Sequence, residues 1–181
     1  EVGQISNLPY QSNDSFNIDQ TEMMVMLTKD DWDLYETSWD FTSLPLLNPD
    51  YRQPTLRATY QKLRGHWREM TLEMQRLEEE NNRIFINAYG LQDELSPEVP
   101  ESQITLTRAD REKDCQRLIS YAIGCMMGRY SLDEPGLIYA HAGNEGFDAT
   151  RYQTFPADAD GIVPITDELW FDDDAAHRVR E

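Results

Sequence analysis

The sequence has 181 residues, with 34 Asp and Glu against 16 Lys and Arg, a formal charge of −18 at pH 7 and an isoelectric point near 4.4. A balance this acidic excludes a nucleic-acid binder of the usual whole-surface basic kind. Hydrophobic residues at 39% support one modest core, and no run of about 18 uncharged apolar residues is present, which excludes a membrane-spanning helix.

The opening Glu1-Val2-Gly3-Gln4-Ile5 is neither an initiator Met nor a signal sequence, so the chain reads as cut from a longer one. Residues 1–17 are polar and loop-like. Between Ile18 and Tyr35 apolar residues recur at mixed spacing, and Thr28 with Asp31 is placed like a capping pair, so two short helices are expected there. Pro45, Pro49 and Pro54 make residues 40–54 an extended linker.

From Pro54 to Gly90, Leu56, Tyr60, Leu63, Trp67, Met70, Met74, Leu77, Asn81, Ile84 and Ala88 alternate at steps of four and three, which is a heptad seam. Pro54 suits the first helical turn and Gly90 a C-terminal stop, predicting one helix about 54 Å long. Such a stripe must lie against another helix, of its own chain or of a second copy. Its Leu, Met, Trp and Tyr content favours packing within the chain, hence a monomer. Asn81 would set register. Gly65 inside the helix has two readings, close approach of a neighbour or simple tolerance.

Charge on this helix is divided. Arg52, Arg57, Lys62, Arg64 and Arg68 precede a half that holds Glu69, Glu73, Glu78, Glu79 and Glu80. The cations are candidates for phosphate contact, and the competing reading pairs them with the acid-rich residues 30–50.

Beyond Gly90, Ile104-Thr105-Leu106 reads as a short strand and Thr107 as the cap of a helix over residues 108–128. Leu137-Ile138-Tyr139-Ala140 and Ile162-Val163-Pro164-Ile165 read as further short strands, and residues 172–181 as a truncated helix. Cys115 and Cys125 lie about 15 Å apart along that helix, too far to pair, and read as buried thiols in a reducing cytoplasm.

No catalytic constellation is legible. Asn7-Leu8-Pro9-Tyr10 matches three of the four positions of the base-holding element of adenine-N6 methyltransferases but fails at Leu8 and is read as a loop. Asp158-Ala159-Asp160-Gly161 fails as a calcium loop because Pro156 holds the first ligand position and Asp167 the last. Asp172-Asp173-Asp174 reads as a solvated helix start, and His66, His141 and His177 stand apart from any nucleophile.

Several blocks carry a resemblance: Asp31-Trp32-Asp33, Glu36-Thr37-Ser38-Trp39-Asp40-Phe41, Arg76 through Ile86, Ala88-Tyr89-Gly90-Leu91, Ile119 through Asp133, and Pro135-Gly136-Leu137-Ile138. Together they resemble the PglX family, the adenine-specific DNA methyltransferases of BREX phage-defence systems, over most of residues 1–180. The resemblance implies a fragment downstream of the catalytic domain, with S-adenosylmethionine as the parent's methyl donor and DNA and other phage-defence proteins as the parent's partners. The donor-binding glycine motif has no counterpart here, so no catalytic, cofactor-binding or metal residue is carried over.

The expected fold is mainly α: a long coiled-coil-like amphipathic helix packed with shorter helices, plus a small α/β C-terminal part. The expected organisation is the end of a recognition segment at 1–17, a helical spacer at 18–91 with its long helix at 54–89, and a mixed region at 92–181. The expected role is a non-catalytic segment that positions recognition and catalytic modules, with Arg57, Lys62, Arg64 and Arg68 as candidates for DNA-phosphate contact. A protein-interaction or dimerisation module built on the heptad helix is the alternative.

Overall fold

The computed structural model describes residues 18–141, 145–168, 170–171 and 174–180. The readings of residues 1–17, Asn7-Leu8-Pro9-Tyr10 among them, and of Asp172 and Asp173 fall outside these. The described residues form the helices α1 (Ile18–Trp32), α2 (Leu56–Tyr89), α3 (Arg111–Met126) and α4 (Ala175–Arg178), with 3-10 turns at Pro45–Leu47, Pro49–Tyr51, Glu101–Gln103 and Ala149–Arg151.

The heptad pattern becomes one unbroken helix, α2, of 34 residues, about 51 Å long. Its start lies two residues later than Pro54. The Thr55 hydroxyl accepts from the Ala58 amide at 3.2 Å and the Thr55 carbonyl accepts from Thr59 N at 3.0 Å, so Thr55 is the cap and Pro54 precedes it. Its end is set by Gly90 at φ 68°, where Leu91 N donates to Ile86 O at 2.9 Å and Gly90 N to Asn87 O at 3.3 Å, the Schellman pairing that a left-handed residue permits. Thr55→Ala is expected to cost about 1 kcal/mol, read as a lower urea midpoint at unchanged slope.

The chain divides into two compact units. The first comprises, of the described residues, 18–30 and His66–Thr107. Its core is Leu27 of α1, Met74 and Leu77 of α2, and Val99, Ile104 and Leu106 of the segment that follows, with Met24 and Met70 packed against it. Gln20, Met24 and Leu27 share one stripe of α1, and Gln20 Nε2 donates to Leu77 O at 2.7 Å. The middle of the seam is therefore covered by the chain itself.

Two sequence expectations fail in this unit. Residues 18–35 hold one helix rather than two, because the Thr28 hydroxyl donates back to Met24 O at 2.9 Å and so continues the helix instead of capping a new one. Ile104-Thr105-Leu106 is not a strand. The extended chain before it bonds to side chains of α2: Gln75 Nε2 donates to Val99 O at 2.7 Å, Val99 N to Glu79 Oε1 at 3.2 Å, and Asn82 Nδ2 to Pro97 O at 3.3 Å. These bonds lay residues 97–99 along α2, and Ile104 and Leu106 follow into the core without a ladder.

The second unit comprises Asp31–Gly65 and the described part of Arg108–Glu181. Its core is Phe41, Leu44, Tyr121, Cys125 and Tyr130, with Leu118 and Phe155 against it. Tyr121 and Tyr130 stack at 5.0 Å, and Phe41 meets Tyr130 edge-on at 5.5 Å. The proline-punctuated stretch is thus more than a linker, since Phe41 and Leu44 are core residues. α3 starts at Arg111 and not at residue 108. Its cap is Asp110, whose Oδ1 accepts from Glu112 N at 3.1 Å and Lys113 N at 3.2 Å, while Thr107 is buried.

The expected strands at 137–140 and 162–165 are absent, and among the described residues there is no strand, so the C-terminal part is not α/β. These segments are held by isolated bonds, such as Ile138 N to Arg129 O at 2.8 Å and Ala175 N to Pro164 O at 2.8 Å, where a strand needs a repeating ladder. Carboxylates supply the rest. Asp133 accepts from the Thr154 hydroxyl and from the amides of Gln153 and Thr154; Asp148 accepts from Thr150 and Asp174 from Thr166. Hydrogen bonds from these threonine hydroxyls hold all three carboxyls below their ordinary range.

A depressed carboxyl contributes stability above its unfolded value, about 4, and loses it as pH falls through the folded one. Hydrogen-exchange protection at Gln153, Thr154 and Thr166 is therefore expected to fall on acidification below about pH 4, before that of the amides inside α2.

Cys125 is 2% exposed, and burial pushes its thiol up to about 11. Cys115 is exposed, which corrects the expectation of two buried thiols. One thiol per chain is expected to react promptly with a disulfide reagent near pH 8, the second only on unfolding.

Candidate functional site

The first turns of α2 place Leu56, Arg57, Tyr60, Gln61 and Arg64 along one side of a cleft of about 460 Å³. α3 supplies Arg111, Asp114, Cys115 and Leu118 from its own first turns, at spacings of three, four and seven that define one helix face. Leu46, from the 3-10 turn Pro45–Leu47, completes the wall. All of these belong to the second unit.

Asp114 ties the two helices together. Its carboxylate, 5% exposed, accepts from Arg117 Nη1 at 2.8 Å, from Tyr60 Oη at 3.2 Å and from Asp110 N at 3.0 Å. Arg117 in turn lies over the Tyr35 ring at 4.5 Å. Partial burial and the neighbouring Asp114 push the Tyr60 phenol up, so it remains a donor at neutral pH. The one carboxylate in the cleft is thereby occupied by donors of its own unit. Arg57, Arg64 and Arg111 are exposed, and none of them forms an ion pair with a described residue. Three guanidiniums with no ion-pair partner among the described residues thus line one recess, an arrangement able to hold an anion.

The four cations singled out in the sequence part company here. Arg57 and Arg64 are brought together, one above the other at a spacing of seven. Lys62 points elsewhere and donates from Nζ to Asp50 O at 2.6 Å; it thus fastens the turn Pro49–Tyr51 by a carbonyl, not by the acidic side chain that the pairing reading required. Arg68 is exposed and belongs to the part of α2 in the first unit. Arg111 was missed. Its signal is the Arg111, Asp114, Cys115, Leu118 phase along α3, which means something only once α2 lies opposite.

S-adenosylmethionine, the donor implied by the family resemblance, does not fit the described residues. A donor-binding loop needs glycines that open a helix, whereas Gly90 and Gly128, at φ 68° and 75°, close helices. No step is therefore assigned to that group in this chain. No group of three or more His, Cys, Asp or Glu is placed to hold a metal ion among the described residues, and no described helix is long and apolar enough to cross a membrane.

The chain is 39% identical over 178 residues to the adenine-specific methyltransferase PglX of Lacticaseibacillus casei (strain Zhang), a match to 96% of this chain and 15% of that protein. It is 32% identical over 199 aligned positions to the adenine-specific methyltransferase BrxX of Escherichia coli O9:H4 (strain HS), covering 99% of this chain and 16% of that protein. The chain matches a segment of the PglX family. It spans only about a sixth of the length of these PglX-type relatives. No family model matches it.

Proposed function

We propose that this chain is a non-catalytic segment of a site-specific adenine-N6 DNA methyltransferase of a phage-defence system, lying downstream of the catalytic domain and spacing it from the recognition module. In that parent enzyme S-adenosylmethionine supplies the methyl group, in the cytoplasm, outside the residues of this segment. The cleft of Arg57, Arg64 and Arg111 holds DNA phosphate. The observation that carries this reading is that these arginines line one recess with no ion-pair partner among the described residues, on a molecule of charge −18. Phosphate contact from such a patch positions the protein on DNA and reads no sequence.

Fluorescence anisotropy of the 181-residue chain with labelled duplex DNA at low salt tests it. The wild type is expected to bind, and the triple variant Arg57→Ala, Arg64→Ala, Arg111→Ala is expected to lose binding. Equal binding by the two proteins overturns the reading.

The connector role has its own support in the buried middle of the seam, where Leu63, Trp67, Met74 and Leu77 are all under 7% exposed within the single chain. The middle of the seam is therefore taken up within the chain, and of the exposed apolar residues of α2, Leu56 stands at the seam's first position while Leu72, Phe85 and Tyr89 do not continue it. Sedimentation equilibrium is expected to return one concentration-independent mass, and a mass that rises with concentration would favour the dimerisation alternative.

A further inference from the structure

The walls of the cleft carry more information than its rim. A duplex backbone is met by cations projecting towards it, and such contact needs no apolar recess. Here the guanidiniums stand around Leu46, Leu56 and Leu118 and the ring of Tyr60, in a volume of about 460 Å³, within the size range of small-molecule sites.

The complement of that arrangement is an anion joined to a flat apolar body. A nucleotide of an unpaired strand is such a group, with its base against the leucines and Tyr60 and its phosphate at the rim. Base-paired DNA offers the phosphate but keeps its bases inside the stack. The charge distribution agrees. The three arginines line one recess on an acidic chain, which suits a short stretch of strand of up to three phosphates and not a long track along a duplex.

We infer that the cleft between α2 and α3 takes an unpaired nucleotide of single-stranded or locally opened DNA. This rests on the phosphate reading above and adds the class of DNA to it.

A labelled oligodeoxynucleotide and its blunt duplex, matched in length and salt, separate the two claims. The single strand is expected to bind about tenfold more tightly than the duplex, the worth of one stacked base. Leu56 is 56% exposed, so Leu56→Ser tests the wall without opening the core; it is expected to weaken single-strand binding severalfold and leave duplex binding unchanged. Equal affinity for the two DNAs, or an inert Leu56→Ser, overturns the unpaired-nucleotide inference and leaves phosphate contact standing. If the triple arginine variant binds both DNAs as the wild type does, or if polyglutamate displaces the oligonucleotide as readily as unlabelled oligonucleotide does, both readings fall.

Discussion

Gly124→Ala is expected to lower stability by about 2 kcal/mol, while the same change at Gly65 raises it by up to about 1 kcal/mol. Both glycines lie inside helices, α3 and α2. At Gly124 an added Cβ would stand 2.6 Å from Tyr130 Cδ2 and 2.9 Å from its Cε2. That ring has nowhere to go: it is 3% exposed, stacked on Tyr121 at 5.0 Å and flanked by Phe41 at 5.5 Å. The approach is built by the chain reversal at Gly128, where Arg129 N donates to Gly124 O at 2.8 Å and returns Tyr130 onto the helix that has just ended.

The gain of about 1 kcal/mol that alanine brings to a helix is outweighed by such overpacking, which costs about 1–3 kcal/mol and more where the neighbour is fixed. At Gly65 nothing lies within 4 Å of the added carbon, so only the helix term remains, and of the two readings of this glycine simple tolerance stands. Urea midpoints at unchanged slope measure both changes. A Gly124→Ala protein with a raised midpoint would mean that the stacked aromatic cluster is not formed.

These two glycines show where sequence reading stops. α2 was legible because its apolar period runs through many turns and its stop Gly90 acts through neighbours in sequence, while its start was read at Pro54 and the cap is Thr55. α1 was harder, since its inward stripe of Gln20, Met24 and Leu27 carries a glutamine whose partner, Leu77 O, is 57 residues away. Ile104-Thr105-Leu106 has the composition of a strand, yet Ile104 and Leu106 are buried in the core with Leu27, Met74 and Leu77, a tertiary placement that no local pattern announces.

The proposed phosphate cleft was half legible for the same reason. Arg57 and Arg64 share a face of one helix and can be paired by spacing alone. Arg111 joins them only through the packing of α3 on α2, and Asp114 is engaged only because Tyr60 and Arg117 reach it. Lys62 lies in the same run of cations, but its bond to Asp50 O is invisible until the 3-10 turn is placed.

Removing the three cleft arginines is expected to abolish most of the salt dependence of DNA binding. Each phosphate neutralised on a duplex releases counterions and contributes about −0.9 to the slope of log affinity against log salt. Three contacts give a slope near −2.7, which weakens binding about forty-fold over a fourfold rise in salt. Arg57→Ala, Arg64→Ala and Arg111→Ala, made singly, are each expected to take about one unit from the slope. Lys62→Ala and Arg68→Ala leave it unchanged because neither residue lines the cleft.

Asp114→Asn separates position from charge. It removes one negative charge from the cleft, which favours phosphate, but it weakens the bond to Tyr60 that ties α2 to α3 and loosens Arg117. If the cleft acts by shape as well as charge, this variant binds single-stranded DNA more weakly than the wild type despite its more favourable charge. Tighter binding with an unaltered slope would show that the site is only a charged patch.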